Sequence, residues 1–279
     1  MSSLVAVFNA LVTSLFGLVF APLKWMGPLG SIVVISGLCG LLLIWIFGKV
    51  SNQRAIEFTR NRLSSELIGL RLFKDDLRVF FGIQFQILVW TFKYLRHSLI
   101  PMAILMVPTL ILLIQFNLHY GARPLRPREQ TLVKVTLRHG VSAQSAGQIT
   151  LRSPQNLAIE TPAVHIEQLN EVCWRVRGAT PGQFDLTISD GTTAIRKHCV
   201  VGEGWGRVTP VREGGPWYVR LLYPGEAPIP SQSPIETIEI RYPQLDLKLF
   251  GRHVHWLVLF LVASLVCGYA CKGLLGVKI

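Results

Sequence analysis

Two strongly apolar runs, residues 31–50 and 99–119, enclose a polar and basic stretch, and a third apolar run follows at 254–270. About 20 residues at about 1.5 Å each cross a hydrocarbon core of about 30 Å. The runs therefore predict transmembrane helices over 29–50, 99–120 and 253–273. No Lys, Arg, Asp or Glu falls within 31–47, 99–118 or 254–270, which argues against an ion pump or a proton-coupled transporter. Pro101 sits where a first helical turn tolerates it, whereas Pro108 should kink the second span.

Residues 1–28 are apolar, but Asn9, Thr13 and Gly17 recur every four positions, which places them on one helical face. An interfacial amphipathic helix, ended by Pro22 and anchored by Lys24 and Trp25, is favoured; a further span over residues 4–22 is the alternative. Within 51–98 apolar residues step at threes and fours from Ile56, with Ser51 and Asn52 as N-caps. Gly69 or Lys74-Asp75-Asp76 offers a reversal point, so a coiled-coil-like helical hairpin is expected. Its second arm is aromatic, with Phe80, Phe81, Phe85, Trp90 and Phe92 bracketed by Arg78 and Lys93. That arm either packs on its partner or meets lipid or hydrophobic clients.

Beyond the linker Arg123-Pro-Leu-Arg-Pro-Arg the pattern alternates. Strands are expected at 131–137, 148–152, 156–159, 173–177, 183–188, 195–201, 217–222 and 237–242. Turns at Pro181-Gly182, Asp190-Gly191 and Gly214-Gly215-Pro216 separate them. Residues 121–252 thus predict one all-β sandwich domain, and the Cys173–Ile188 segment resembles strands and a turn of an immunoglobulin-like fold.

Charge orients these parts. The chain carries a net +12, which raises nucleic-acid binding. Yet residues 49–97 hold nine Lys/Arg against four Asp/Glu, the signature of a cytoplasmic loop between spans rather than of a nucleic-acid surface. The hairpin is then cytoplasmic, the β domain extracytoplasmic, and the tail 274–279, with Lys278, cytoplasmic. Of five cysteines, Cys39, Cys267 and Cys271 lie in or beside apolar runs. Cys173 and Cys199 in the β region are a disulfide candidate, with two unpaired thiols the equal alternative.

No constellation suggests catalysis, a metal or a cofactor. Asp75 and Asp76 point apart on a helix, His253 and His255 read as interfacial anchors beside Trp256, and His139, His165 and His198 are scattered. The Gly202–Gly206 segment lacks the context of a phosphate loop. Trp205 and Trp217 read as core, with a ligand surface as the alternative. Expected partners are membrane lipids and hydrophobic membrane-protein clients or complex subunits, not nucleic acid. Gly37, Gly40 and Gly48 suggest close helix contacts.

The order of parts resembles the YidC/Oxa superfamily of membrane-protein insertases. A lipid-facing helix (Ala10–Trp25) leads through Gly27-Pro28 into a span; a basic cytoplasmic hairpin, a second span and a third follow. The resemblance covers about residues 5–120 and 254–275. Two features depart from it: the spans carry no intramembrane Arg, and the β domain lies between the second and third spans. It implies a non-enzymatic protein of a bacterial inner membrane that assists, chaperone-like, the insertion or assembly of membrane proteins. Clients would meet Phe80, Phe81, Phe85, Trp90, Arg78 and Lys93, and a polar groove between spans would be lined by Ser36, Thr109 and Gln115. The alternative is a membrane-anchored binding module acting through its β domain, or a structural subunit of a membrane complex.

Overall fold

The computed structural model describes residues 2–72, 77–138, 140 and 147–273, without the side chains of 2–4, 6, 71, 72 and 77–79. Lys74, Asp75, Asp76, His139 and Lys278 lie outside the described residues, as does the side chain of Arg78. The chain divides into two units. One comprises Met1–Ser31 with Ile114–Trp256, the other Ile32–Leu113 with Leu257–Ile279.

Helix α1 (Ser2–Phe20) passes through a 3-10 turn (Ala21–Met26) into α2 (Gly27–Val50). Gly27 takes φ +72° at that junction, a conformation that disfavours any Cβ. Helix α3 (Gln53–Leu72) begins where expected: Asn52 Oδ1 accepts the Ala55 N–H at 3.1 Å, an N-cap bond. Gly69 does not reverse the chain. It lies inside α3, where a Cβ would stand 3.5 Å from Ile83 Cδ1, so it is a contact point between the hairpin arms.

The second arm and the second apolar run form one 44-residue helix, α4 (Leu77–Tyr120), with Pro101 and Pro108 inside it. Two stretches, Val7–Val50 and Phe80–Tyr120, are long and apolar enough to cross a membrane. The last apolar run folds as the shorter α6 (Trp256–Cys271). Within the helical unit, α2 and α6 approach closely. A Cβ on Gly40 would fall 2.2 Å from the Ser264 carbonyl oxygen, and one on Gly37 would fall 3.0 Å from Cys267 Sγ.

The other unit carries a separate β-sheet domain. Its larger sheet runs β3 (Leu157–Ile159), β5 (Glu171–Gly178), β1 (Gln130–Leu137), β9 (Ile235–Ile240) and β8 (Val211–Glu213), with β4 (Val164–Ile166) also on β5. A second sheet joins β2 (Thr150–Arg152), β6 (Gly182–Ser189) and β7 (Ala194–Val201). A hairpin of β10 (Leu247–Leu249) and β11 (Arg252–Val254) precedes α6. The named strands pair antiparallel with one another, with an isolated parallel bridge from Leu125 to Val201 of β7, and inward positions of both main sheets, among them Val133, Trp174, Leu186 and Ile195, share one core. The β6–β7 turn is closed by Asp190, whose Oδ1 accepts the Thr192 and Thr193 N–H groups. Burial pushes the Asp190 carboxyl up, but bonds from Thr193, Thr192 and Ser233 outweigh it and hold it at about 2.

One expected strand is not a strand. Residues 217–222 form a short helix, α5 (Trp217–Leu222). Pro216, at φ −63°, presets the first turn and supplies its opening carbonyl, to which the Val219 and Arg220 N–H groups donate. Trp217 and Tyr218 are consequently exposed rather than core residues.

Helix α1 belongs to the same unit as the β domain. It buries Thr13 and Phe20, with Asn9 half-buried, while Leu11, Leu15 and Leu18 are exposed. Gly17 lies on the exposed side, so the inward stripe continues through Phe16 and Phe20 instead. Phe20 stacks on His119 at 4.0 Å and meets Phe116 edge-on at 5.9 Å. Trp205 stacks on Tyr120 at 5.3 Å, and the Tyr120 hydroxyl donates to Ser31 Oγ at 2.9 Å. Trp205 is therefore a packing residue.

Candidate functional site

The aromatic arm divides its residues between two faces of α4. Trp90 turns toward α3, meeting Phe58 edge-on at 6.0 Å, with Lys93 Nζ 4.1 Å above its ring and the Arg62 guanidinium at 6.0 Å. Cations over an indole face add to its apolar packing. Phe80 is half-buried and lies edge-on to Phe81. Phe81 and Phe85 are two-thirds exposed, at 67% and 68%. Of the six expected contact residues, then, Phe81 and Phe85 present large apolar surface, Trp90 is a hairpin packing residue, and Arg78 lies outside the described side chains.

The exposed residues form a pattern that the sequence reading did not isolate. Phe81, Phe85, Leu88, Phe92, Leu95 and Leu99 alternate steps of four and three, and all are exposed. A 3.5-residue period keeps such a stripe on one side of a helix that packs along another helix. Gly82, Gln84, Gln86, Thr91, Lys93 and Arg96 surround it. A shallow depression of about 530 Å³ lies on this face between Phe85 and Arg96.

The three groove candidates are divided between the two units, Ser36 and Thr109 in one and Gln115 in the other. Ser36 is fully buried, and its Oγ has no hydrogen-bond partner among the described residues. Thr109 donates to the Leu105 carbonyl one turn back at 2.8 Å. Gln115 belongs to the other unit, where its Nε2 donates to Thr13 Oγ1 at 3.3 Å. None of the three lines the depression on α4.

Cys173 and Cys199 are free thiols and do not pair. Strand alternation is the reason: Cys199 faces the core from β7, whereas Cys173 sits between the inward residues Val172 and Trp174 on β5 and points the other way. Burial pushes the Cys199 thiol up to about 11, despite the opposing effects of the Tyr242 hydroxyl and Lys197.

Two features of the β-domain unit escaped the sequence reading. Lys197 is fully buried at an inward position of β7, between Ile195 and Cys199. Its Nζ donates to Glu226 Oε1 and to the Thr209 carbonyl, each at 2.5 Å, and Thr209 Oγ1 donates to the same carboxylate oxygen at 2.5 Å. Burial lowers the Lys197 pKa against the pull of Glu226. The period-two pattern Ile195-x-Lys197-x-Cys199-x-Val201 was the available signal. The second feature is a cavity of about 340 Å³ between α1, α5 and the loops at 207 and 223–228.

Compared with known proteins, the chain matches no protein-family model and no curated protein.

Proposed function

We propose that the chain is an integral membrane protein that assists the insertion or assembly of other membrane proteins, using its α3–α4 hairpin to engage an apolar helix. In this reading 29–50, 99–120 and 253–273 span the bilayer, the hairpin is cytoplasmic, and the immunoglobulin-like β-sandwich is outside. The membrane is that of a bacterial cell. The observation that carries the proposal is the exposed 3.5-period stripe on α4, from Phe81 to Leu99. A soluble protein rarely leaves so contiguous an apolar strip open, and its period matches a helix as occupant.

Lipid is the less suitable cover. Because α4 is one helix, Phe81 lies about 27 Å along its axis from Leu99, at about 1.5 Å per residue. In the proposed topology the stripe up to Leu95 precedes the span 99–120, and a helix that continues the direction of its span holds most of the stripe away from the bilayer. The likeness in order of parts to the YidC/Oxa insertases supports the same reading.

Photo-crosslinkers at Phe85 and Phe92 in the full chain are expected to capture hydrophobic nascent or membrane-bound chains, and one at Arg60 on α3 far fewer. Capture restricted to the protein itself would overturn the client role. A second reading, a module acting through the β domain, is favoured by exposed Trp217 and Tyr218 on α5. It predicts partner crosslinks at Tyr218 and none at Phe85.

A further inference from the structure

The cavity in the β-domain unit is walled on one side by α1, through Asn9 and Thr13, and on the other by Arg207, Arg220, Glu213 and Tyr223. Arg220 is held by the fold: its Nε and Nη2 donate to the Gly215 and Gly214 carbonyls, and its own carbonyl accepts the Asn9 amide at 2.9 Å. Arg207 makes one hydrogen bond, from Nη2 to the Gly225 carbonyl at 2.9 Å. Among the described residues neither guanidinium forms an ion pair, so one held charge, Arg220, and one exposed charge, Arg207, border the same cavity, which Glu213 and Glu226 also line.

Each of the two acids at this cavity has a partner elsewhere, although Glu226 Oε2 has no hydrogen-bond partner among the described residues and the Glu226 charge also acts on Arg207. Glu226 is the partner of buried Lys197, and Glu213 Oε2 accepts from Thr237 Oγ1 at 3.0 Å. Burial raises the Glu213 pKa against the lowering effect of the Thr237 bond. What remains is a net positive recess with amide and hydroxyl donors on its α1 wall. Guanidinium forks match the oxygens of a phosphoryl group in spacing and charge.

The surroundings indicate where that group comes from. Leu11, Leu15 and Leu18 on α1, and Trp217, Tyr218 and Leu222 on α5, are exposed. Aromatic and aliphatic residues of this kind sit at the headgroup level of a bilayer.

We propose that this cavity is a headgroup site, in which Arg207 and Arg220, with Asn9 and Thr13 on the α1 wall, bind the phosphoryl group of an anionic phospholipid. The proposal rests on the membrane reading above, but not on client handling. Bound lipid would fill the space between α1 and the β domain and hold the two together.

Full-length protein in a zwitterionic detergent, titrated with monomeric dihexanoyl phosphatidylglycerol and followed by native mass spectrometry, tests it. One lipid per chain is expected, with dihexanoyl phosphatidylcholine weaker. Arg207→Gln should weaken phosphatidylglycerol binding by about tenfold or more, as loss of a charge-assisted bond implies, and Arg207→Lys should recover part of it. Arg207 is chosen because its single bond leaves the fold intact; Arg220→Gln is the second variant, accepted only if its thermal unfolding is unchanged. Inorganic phosphate provides the other arm. Phosphate that binds as tightly as the lipid and displaces it would replace the lipid by a soluble phosphoryl anion and overturn the headgroup assignment. Unaltered phosphatidylglycerol binding in both variants, or no binding by the parent, would overturn the site itself. Carbonate extraction of the parent protein from membranes tests the membrane reading separately.

Discussion

At the scale of single residues, Lys197 shows best what fixes the β domain. A charge at an inward strand position survives because Glu226 and the Thr209 carbonyl meet its ammonium where water does not. Removing one partner leaves the other buried and uncompensated, which costs about 3–5 kcal/mol. Lys197→Ala should therefore unfold the β domain at markedly lower denaturant concentration. Lys197→Met combined with Glu226→Gln should be milder than Lys197→Ala, because it leaves no buried charge. Equilibrium unfolding followed by Trp174 fluorescence checks both. The same residue marks a limit of sequence reading. Its alternation was visible, but its partner is 29 positions away and belongs to a loop, and no periodicity announces such a pairing. For Cys173 and Cys199 the limit was one of phase. Composition made them possible partners, and only the core register showed that they face opposite ways.

At the scale of elements, apolar helices were the most legible part, because length and hydropathy are enough to define them. Their ends were less so. Nothing in the sequence said that the aromatic arm and the following apolar run would be one helix, since Pro101 fits the first turn of a separate span and Pro108 fits a kink within it, yet both lie inside α4. Strand 217–222 was misread because an alternating apolar pattern six residues long fits a strand or a helical turn equally, and Pro216 decided between them. Close helix contact was expected at Gly37, Gly40 and Gly48, and at 37 and 40 the neighbour is α6 of the same chain. That contact makes a sharp prediction. A Cβ at position 37 would stand 3.7 Å from Cys267 Cβ, inside the range of about 3.5–4.5 Å for a disulfide. Gly37→Cys should form an intramolecular bond to Cys267 on mild oxidation, detected as a linked peptide pair by mass spectrometry. Gly40→Cys, blocked by the Ser264 backbone, should not.

At the scale of the whole molecule, the basic surplus between the first two apolar runs is the argument for orientation, and it stands independently of any contact. Ser64 on α3 and Gln183 on β6 are both exposed, so each can report its compartment as a cysteine. In a chain cleared of its native thiols, a membrane-impermeant maleimide added to intact cells should modify Gln183→Cys and not Ser64→Cys. The reverse pattern would invert the topology and place the α4 stripe outside. The candidate surface was only half legible at this scale: an aromatic arm was evident, but which of its residues face outward depended on where α3 packs. Trp90 was claimed by Phe58, Arg62 and Lys93, leaving Phe81, Phe85 and Phe92 to the exterior.

The bond from Asn9 to the carbonyl of Arg220 joins residues 211 positions apart. During synthesis at about 5–20 residues per second, α1 emerges about 10–40 s before the wall it rests against. For that interval Leu11, Leu15 and Leu18 are not its only unburied residues, because Thr13 and Phe20 also wait for α4 and the β domain. A helix in that position needs a temporary host, and a bilayer surface is one that accepts it without commitment. The fold thus imposes a timetable as well as a shape: an element made early is seated late.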